Sequence, residues 1–313
     1  MNSLQNNLVS IVVATYNGAK YLQCQLDSIL QQTYLPIEII ITDDASTDNT
    51  VSILKQYAAE HNNILLLLNE DNVGYIKNFE RGMLVAKGMY ISPCDQDDYW
   101  QPNKVELMVQ QIQNYPMLCA DSELVDENLK PLGKKISTLK NLQTYTNCLV
   151  FYTDNYVAGH ATLFTKELLK KAIPFNTNVP FDWWLAYIAA TTGGVKYLDE
   201  ALVKYRNHSN NIIGAVKIKN SNKAKESKQQ QKQQITNINK ARLQLFYELC
   251  PATLSKEKAV MQKIITASSN FSFTNNCKRV VIYLQNMRLL LAIKKKNILR
   301  KIFYCFKMFY QVR

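Results

Sequence analysis

The stretch Cys94-Asp95-Gln96-Asp97-Asp98-Tyr99-Trp100 sets three carboxylates within four residues. Like charges this close repel, and burying them without a partner is costly. A divalent cation resolves both problems, because Mg²⁺ or Mn²⁺ is a hard ion that prefers carboxylate oxygens. Mg²⁺ takes one or two protein carboxylates and completes its shell with water and substrate phosphates. An Asp-x-Asp at a strand end therefore points to a metal shared with a phosphate-bearing ligand. The competing reading is a solvated acidic turn, since short motifs also arise by accident.

The elements before this cluster decide between the two. Leu8 to Ala14 is a β-branched apolar run closed by the turn residues Thr15-Tyr16-Asn17-Gly18. Helical spacing follows in Leu22, Leu26, Ile29 and Leu30. A second strand, Ile37 to Ile41, ends in Thr42-Asp43-Asp44-Ala45-Ser46-Thr47-Asp48, where Ser46 or Thr47 can cap the next helix. The third strand, Ile64 to Leu68, ends in a polar turn reaching Gly74, and a helix from Tyr75 to Lys87 leads to the fourth. This alternation predicts an α/β fold with a mostly parallel sheet covered by helices on both faces. In such sheets ligands sit at the carboxyl ends of the strands. Polar clusters at four successive strand ends favour a site over a solvated turn. Neither Gly-x-Gly-x-x-Gly nor a Gly-x-x-x-x-Gly-Lys-Ser/Thr loop is present, which argues against dinucleotide and P-loop sites.

Composition narrows the class. With 313 residues, 47% of them hydrophobic, the chain can bury a sizeable core. The seven cysteines show no Cys-x-x-Cys spacing, so free thiols in a reducing cytosol are expected rather than disulfides or zinc. No signal peptide is read, and no stretch approaches the ~18 apolar residues of a membrane span. Residues 1–214 carry 16 Lys/Arg and 22 Asp/Glu, a charge of −6, whereas residues 215–313 carry 21 and 3, a charge of +18. An acidic body with a basic last third calls for an anionic partner.

Val9 to Gly18, Asp43 to Asp48, Asn72-Val73-Gly74 with Lys77-Asn78, and Asp95 to Trp100 together resemble family 2 inverting glycosyltransferases of the GT-A fold. Phe181-Asp182-Trp183-Trp184-Leu185-Ala186 and Tyr205 to Gly214 resemble most the bacterial rhamnosyltransferase branch, which builds surface polysaccharides. The resemblance covers residues 8–214 and implies a GT-A (Rossmann-like) catalytic domain over 1–214, followed by a helical region over 215–313. It implies Asp97 as metal ligand, with Asp95 on the ribose or sharing the metal, and Asp98 supporting the turn. Asp43 and Asp44 map to base recognition, with Asp44 preferred for a base N–H. Thr15, Tyr16, Asn17 and Asn72 line the same nucleotide pocket. Lys77 neutralises diphosphate charge or is a solvated helix lysine. Gly159 resembles the glycine loop facing donor and acceptor, and His160 beside it touches the acceptor. His208 is a ligand to metal or diphosphate.

Asp182 is the expected general base, since a carboxylate can accept the acceptor's hydroxyl proton and its tryptophan neighbours could raise its pKa. The alternative is an N-cap, because a helical pattern follows at once. The family usually has an acidic pair there, and Phe181 replaces one member. The implied cofactor is Mg²⁺ or Mn²⁺. The implied partners are a dTDP- or UDP-sugar and a lipid-linked glycan. A sugar-1-phosphate nucleotidyltransferase would need a glycine-rich phosphate loop after the first strand, and a non-catalytic binding protein would not need Asp182.

In the last third, Lys217 to Gln234 reads as a polar linker or exposed helix start. The final helical pattern sets Ile298, Leu299, Ile302, Phe303, Phe306, Phe309 and Tyr310 at 3–4-residue spacing among basic residues. Such a helix either packs on protein or lies in a membrane interface. The reading taken is peripheral attachment to the anionic inner face of the cell membrane, with no nucleic-acid partner, since no base-reading motif accompanies the charge.

Overall fold

A computed structural model describes residues 7–207 and 228–312. Nine strands form one sheet: β1 (Val9–Thr15), β2 (Ile37–Asp43), β3 (Ile64–Leu68), β4 (Tyr90–Cys94), β5 (Tyr99–Trp100), β6 (Met117–Val125), β7 (Pro131–Lys135), β8 (Thr162–Thr165) and β9 (Val195–Arg206). Their order is β3-β2-β1-β4-β8-β6-β9-β5, with β7 on β6. The first four neighbours pair in parallel, as the strand–helix alternation predicts. Beyond β4 the sheet becomes mixed, because β8 enters antiparallel between β4 and β6, and β5 pairs antiparallel with β9.

Helices α1 (Ala19–Leu30), α2 (Thr50–Glu60), α3 (Tyr75–Val85), α4 (Lys104–Ile112), α5 (Lys166–Ala172) and α6 (Phe181–Thr192) cover the sheet. Strand β1 has no exposed residue because it lies inside the sheet with helices over it, hence its unbroken apolar run. Helix α1 turns Leu22, Leu26 and Ile29 inward. Neither Ser46 nor Thr47 caps α2. Asp48 takes that part, accepting from Thr50 N at 2.9 Å.

Helices α7 (Lys228–Leu249), α8 (Ser255–Ser268), α9 (Phe273–Gln285) and α10 (Ile298–Lys307) form the C-terminal region. They pack on the catalytic body. Leu243, Phe246, Met261 and Ile264 belong to the same buried cluster as the sheet. Phe246 stacks on Tyr187 of α6 with centroids 4.1 Å apart and planes at 4°. The Tyr187 hydroxyl donates to Phe246 O at 2.5 Å, and Tyr152 donates to Leu243 O at 3.1 Å. All seven cysteines are unpaired. Among the described residues, no helix is long and apolar enough to cross a membrane.

Phe246→Ala should test the shared core. Deleting a fully buried, stacked ring costs about 3–5 kcal/mol, read by urea unfolding of the whole chain. A loss near zero would mean that α7 contributes nothing to the fold of the catalytic body.

Candidate active site

The ends of β1 and β2 form a hydrogen-bonded frame. Thr15 Oγ1 donates to Asp43 Oδ2 at 2.7 Å, and Ser46 donates to the same carboxylate through N and Oγ. Asn17, at φ 49°, accepts from Thr47 N at 2.8 Å. Asp44 accepts from Val73 N, Gly74 N and Asn69 Nδ2 at 2.8–2.9 Å. Gly74 sits at φ 83°, where a side chain would be strained, and this lets the loop fold back onto Asp44. Asn72 Nδ2 donates to Asp44 O at 3.1 Å.

Asp43 and Asp44 are therefore buried and engaged by the protein. Asp44 thus holds the loop after β3 through its carboxylate, beside the base-recognition role expected of it. Lys77, partly exposed, pairs with Glu80 on its own helix. Tyr16, Asn17 and Asn72 remain exposed at the cleft edge.

Across this frame, Gln96 clamps the main chain of Tyr16, accepting from its N at 2.8 Å and donating to its O at 3.0 Å. Asp95, Asp98 and His160 then come together, with one ligand atom from each lying within 4.8 Å of the others. His160 Nδ1 is 3.4 Å from Asp95 Oδ2 and 3.5 Å from Asp98 Oδ2, and its Nε2 is 3.1 Å from Ser122 Oγ. Its ring stacks on Tyr205 at 4.7 Å. Asp98 is fully buried; its Oδ1 accepts from Arg206 N at 3.0 Å, while Oδ2 makes no hydrogen bond among the described residues and has His160 Nδ1 as its neighbour at 3.5 Å. Burial pushes the Asp98 carboxyl up against the pull of His160. Burial also disfavours the His160 imidazolium, but the two carboxylates outweigh it and raise its pKa.

Asp182 is in the first turn of α6, one residue inside the helix, whose N-cap position is Pro180. The N-cap alternative is thus set aside. Its carboxylate accepts from Trp183 N at 2.6 Å. Burial raises its pKa to about 6, with Asp95 adding to the rise and His160 opposing it. Gly159 is required sterically: a Cβ there would lie 2.7 Å from Phe181 Cζ. Tyr75 shares this side, its pKa raised to about 12 by burial and by Asp182 and Asp95.

The expected ligand set of Asp97, Asp95 and His208 differs from the group assembled here. Asp97 stands outside it, half-buried, with its O accepting from Arg206 Nε at 2.6 Å. Successive residues of a turn point different ways, and here it is Asp98 that turns inward. His208 lies outside the described residues. Sequence reasoning missed the placement of His160 beside the acids, and it missed Tyr75, Gln96, Lys104 and Arg206. Arg206 was findable only through pairing: Tyr99 faces Lys204 across β5 and β9, which sets Arg206 against the turn.

Residues 10–173, more than half of the chain, match the family described as Glycosyl transferase family 2. An uncharacterized protein of Mycobacterium tuberculosis is 31% identical over 211 residues, covering 65% of this chain and 60% of that protein, so the chain spans less than two thirds of it. Among solved structures, S. aureus TarS in complex with UDP-GlcNAc aligns over 91% of this chain and 78% of its own, with 18% identity and a TM-score of 0.61. The mannosyltransferase of Pyrobaculum calidifontis in complex with GDP-Man and Mn²⁺ aligns over 98% and 86%, with 16% identity and a TM-score of 0.53. Those similarities carry the GT-A-like α/β fold with its helical C-terminal region. By the match that spans strands β1 to β8, the chain belongs to glycosyl transferase family 2.

Proposed function

We propose that the protein transfers a sugar, with inversion, from a nucleoside-diphosphate sugar to a hydroxyl of a lipid-linked glycan. The observation that carries this is the Asp95–Asp98–His160 group at the carboxyl end of β4, with Asp95 and His160 both acting electrostatically on Asp182. The neighbours solved with UDP-GlcNAc and GDP-Man support a nucleotide-sugar donor. A dTDP- or UDP-linked rhamnose, or another hexose, is the candidate donor, from the likeness of the Phe181 and Tyr205 blocks to rhamnosyltransferases. The product then belongs to a surface polysaccharide such as O-antigen or capsule. The +18 charge of residues 215–313 supports a peripheral position on the anionic inner face of the membrane, beside such an acceptor.

Mg²⁺ or Mn²⁺ fits the acid group, because Asp98 Oδ2 is buried without a hydrogen bond and two more ligand atoms lie beside it. Asp95, Asp98 and His160 would hold the ion, with Asp97 next in the turn. When bound, it neutralises charge on the departing diphosphate. Asp182 removes the proton from the acceptor hydroxyl as its oxygen bonds to the anomeric carbon and the bond to the diphosphate breaks. Attack from the face opposite the leaving group inverts that carbon. Gly159 lets the Phe181 ring approach the turn that carries His160.

Three outcomes test this reading. Asp182→Asn should lower transfer by ~10²-fold or more while leaving donor binding intact. The raised pKa means that the charged form is disfavoured in the fold, so this variant should melt no lower than the parent at pH 7. In the parent, the base form prevails above about 6, so transfer should fall as pH drops through that value; the Asn variant should lack this limb. Near-normal turnover with a lower melting temperature would make Asp182 a structural residue.

Chelator should stop transfer reversibly, and Mn²⁺ should raise the melting temperature of the parent but not of Asp98→Asn. Full activity in chelator sinks the metal assignment, and loss of the Mn²⁺ response in Asp97→Asn alone would return the ion to Asp97. Gly159→Ala should cost about 1–3 kcal/mol by overpacking against Phe181. Its turnover should fall more than its donor affinity; unchanged turnover would remove Gly159 from the acceptor side.

A further inference from the structure

The His160 ring is held on its face and on both edges, each time by a different element. The turn that carries it, Gly159–Ala161, is pinned by Thr162 Oγ1 donating to Gly159 O at 2.8 Å and by Ala161 N donating to Ala158 O at 3.0 Å. The ring face lies on Tyr205 of β9, with centroids 4.7 Å apart and planes at 24°. One edge presents Nδ1 to Asp95 and Asp98, at 3.4 and 3.5 Å. The other presents Nε2 to Ser122 Oγ of β6 at 3.1 Å. Only 4% of His160 and 1% of Ser122 is exposed, so this last contact is shut off from bulk water.

Ser122 reaches the ring at a point where β6 is irregular. The pairing of β6 with β9 shifts register between Ala120 and Asp121, and again between Asp121 and Ser122. Shifts of this kind re-aim side chains. The buried Asp121 fixes the altered course. Its Oδ1 accepts from Ser122 N at 2.8 Å and from Ser137 N at 3.1 Å, and its Oδ2 accepts from Ser137 Oγ at 2.5 Å. Ser122 is thus tied through its main chain while its hydroxyl stays with His160.

A neutral imidazole carries one proton, on one of its two nitrogens. With a cation held by Asp95, Asp98 and His160, the Nδ1 lone pair is committed to the ion and the proton stands on Nε2. A buried N–H without an acceptor is costly, and the partner of that second nitrogen sets the orientation of a ligating ring. We infer that Ser122 is a positioning residue, whose hydroxyl accepts the Nε2 proton of His160 and so keeps Nδ1 turned toward the ion. This role rests on the reading of Asp95, Asp98 and His160 as an ion site. It assigns to the irregularity in β6 the task of orienting one ligand.

The test is the Mn²⁺ affinity of the full chain, read from the electron paramagnetic resonance signal of the free ion. Ser122→Ala should weaken binding about 10-fold, and His160→Ala should weaken it at least as much. The double variant should bind no more weakly than His160→Ala, because Ser122 acts only through that ring. Ser122→Thr keeps the hydroxyl in a strand that suits a β-branched residue, and it should retain the parent affinity. Without Mn²⁺, Ser122→Ala should melt close to the parent, which shows that it folds. If the parent binds no Mn²⁺, the ion reading is overturned and this role with it. If the parent binds and Ser122→Ala binds equally, only the role of Ser122 is overturned. An equal loss in the alanine and threonine variants, or a loss from Ser122→Ala that persists without His160, overturns that role too and leaves the ion site standing.

Discussion

Asp98 imposes the constraint on which the rest of the cleft depends. A carboxylate with no exposed surface and one oxygen outside any hydrogen bond carries a desolvation cost of several kcal/mol. The chain offsets this from three directions. Strand β9 brings the Arg206 amide to Oδ1, the turn before β8 brings His160 to Oδ2, and Lys104 sits buried behind them. Lys104 is itself under strain of the same kind. Burial pulls its pKa down to about 7, and its partners are Ser92 Oγ at 3.1 Å and the face of Trp100. Bringing Arg206 this far requires β9 to run 12 residues along β6, through two register shifts at Asp121. Irregularities of that kind re-aim side chains next to sites.

The strands of the parallel half were legible because each is an apolar run that ends abruptly in turn residues. Ile64–Leu68 is as read, and β1 differs from its reading by one residue at each end. The position of the cleft followed from those ends. What a local pattern could not show is which side chains the loops consume. Asp44 looks free at a strand end, yet the loop after β3 returns through Gly74 and occupies its carboxylate. Lys77 looks solvated or catalytic, yet Glu80 lies one turn along the same helix. His160 and Arg206 reach the acids only through antiparallel pairing of β8 with β4 and β9 with β5. Strands separated by seventy to a hundred residues carry no local sign of that pairing. The charge step at residue 214 was plain in the composition, but it is not a packing boundary for α7 to α10, which share the buried cluster of the sheet.

That shared core ties the candidate base to the C-terminal region. Asp182 begins α6, and α6 is held from behind by α7. Tyr187 stacks on Phe246, and the Arg242 guanidinium lies 4.1 Å from the centre of the Trp183 ring. Trp183 in turn donates to Phe151 O at 2.6 Å, beside the loop that carries Lys140 and Asp154. A displacement of α7 would therefore bear directly on Trp183, the residue adjoining Asp182. The frame at the ends of β1 and β2, by contrast, is closed within residues 15–96 by Asp43, Asp44, Asn78 and Gln96. The basic C-terminal region is thus packed against the helix that carries Asp182, so the position of that carboxylate and the packing of the last third are set by one core.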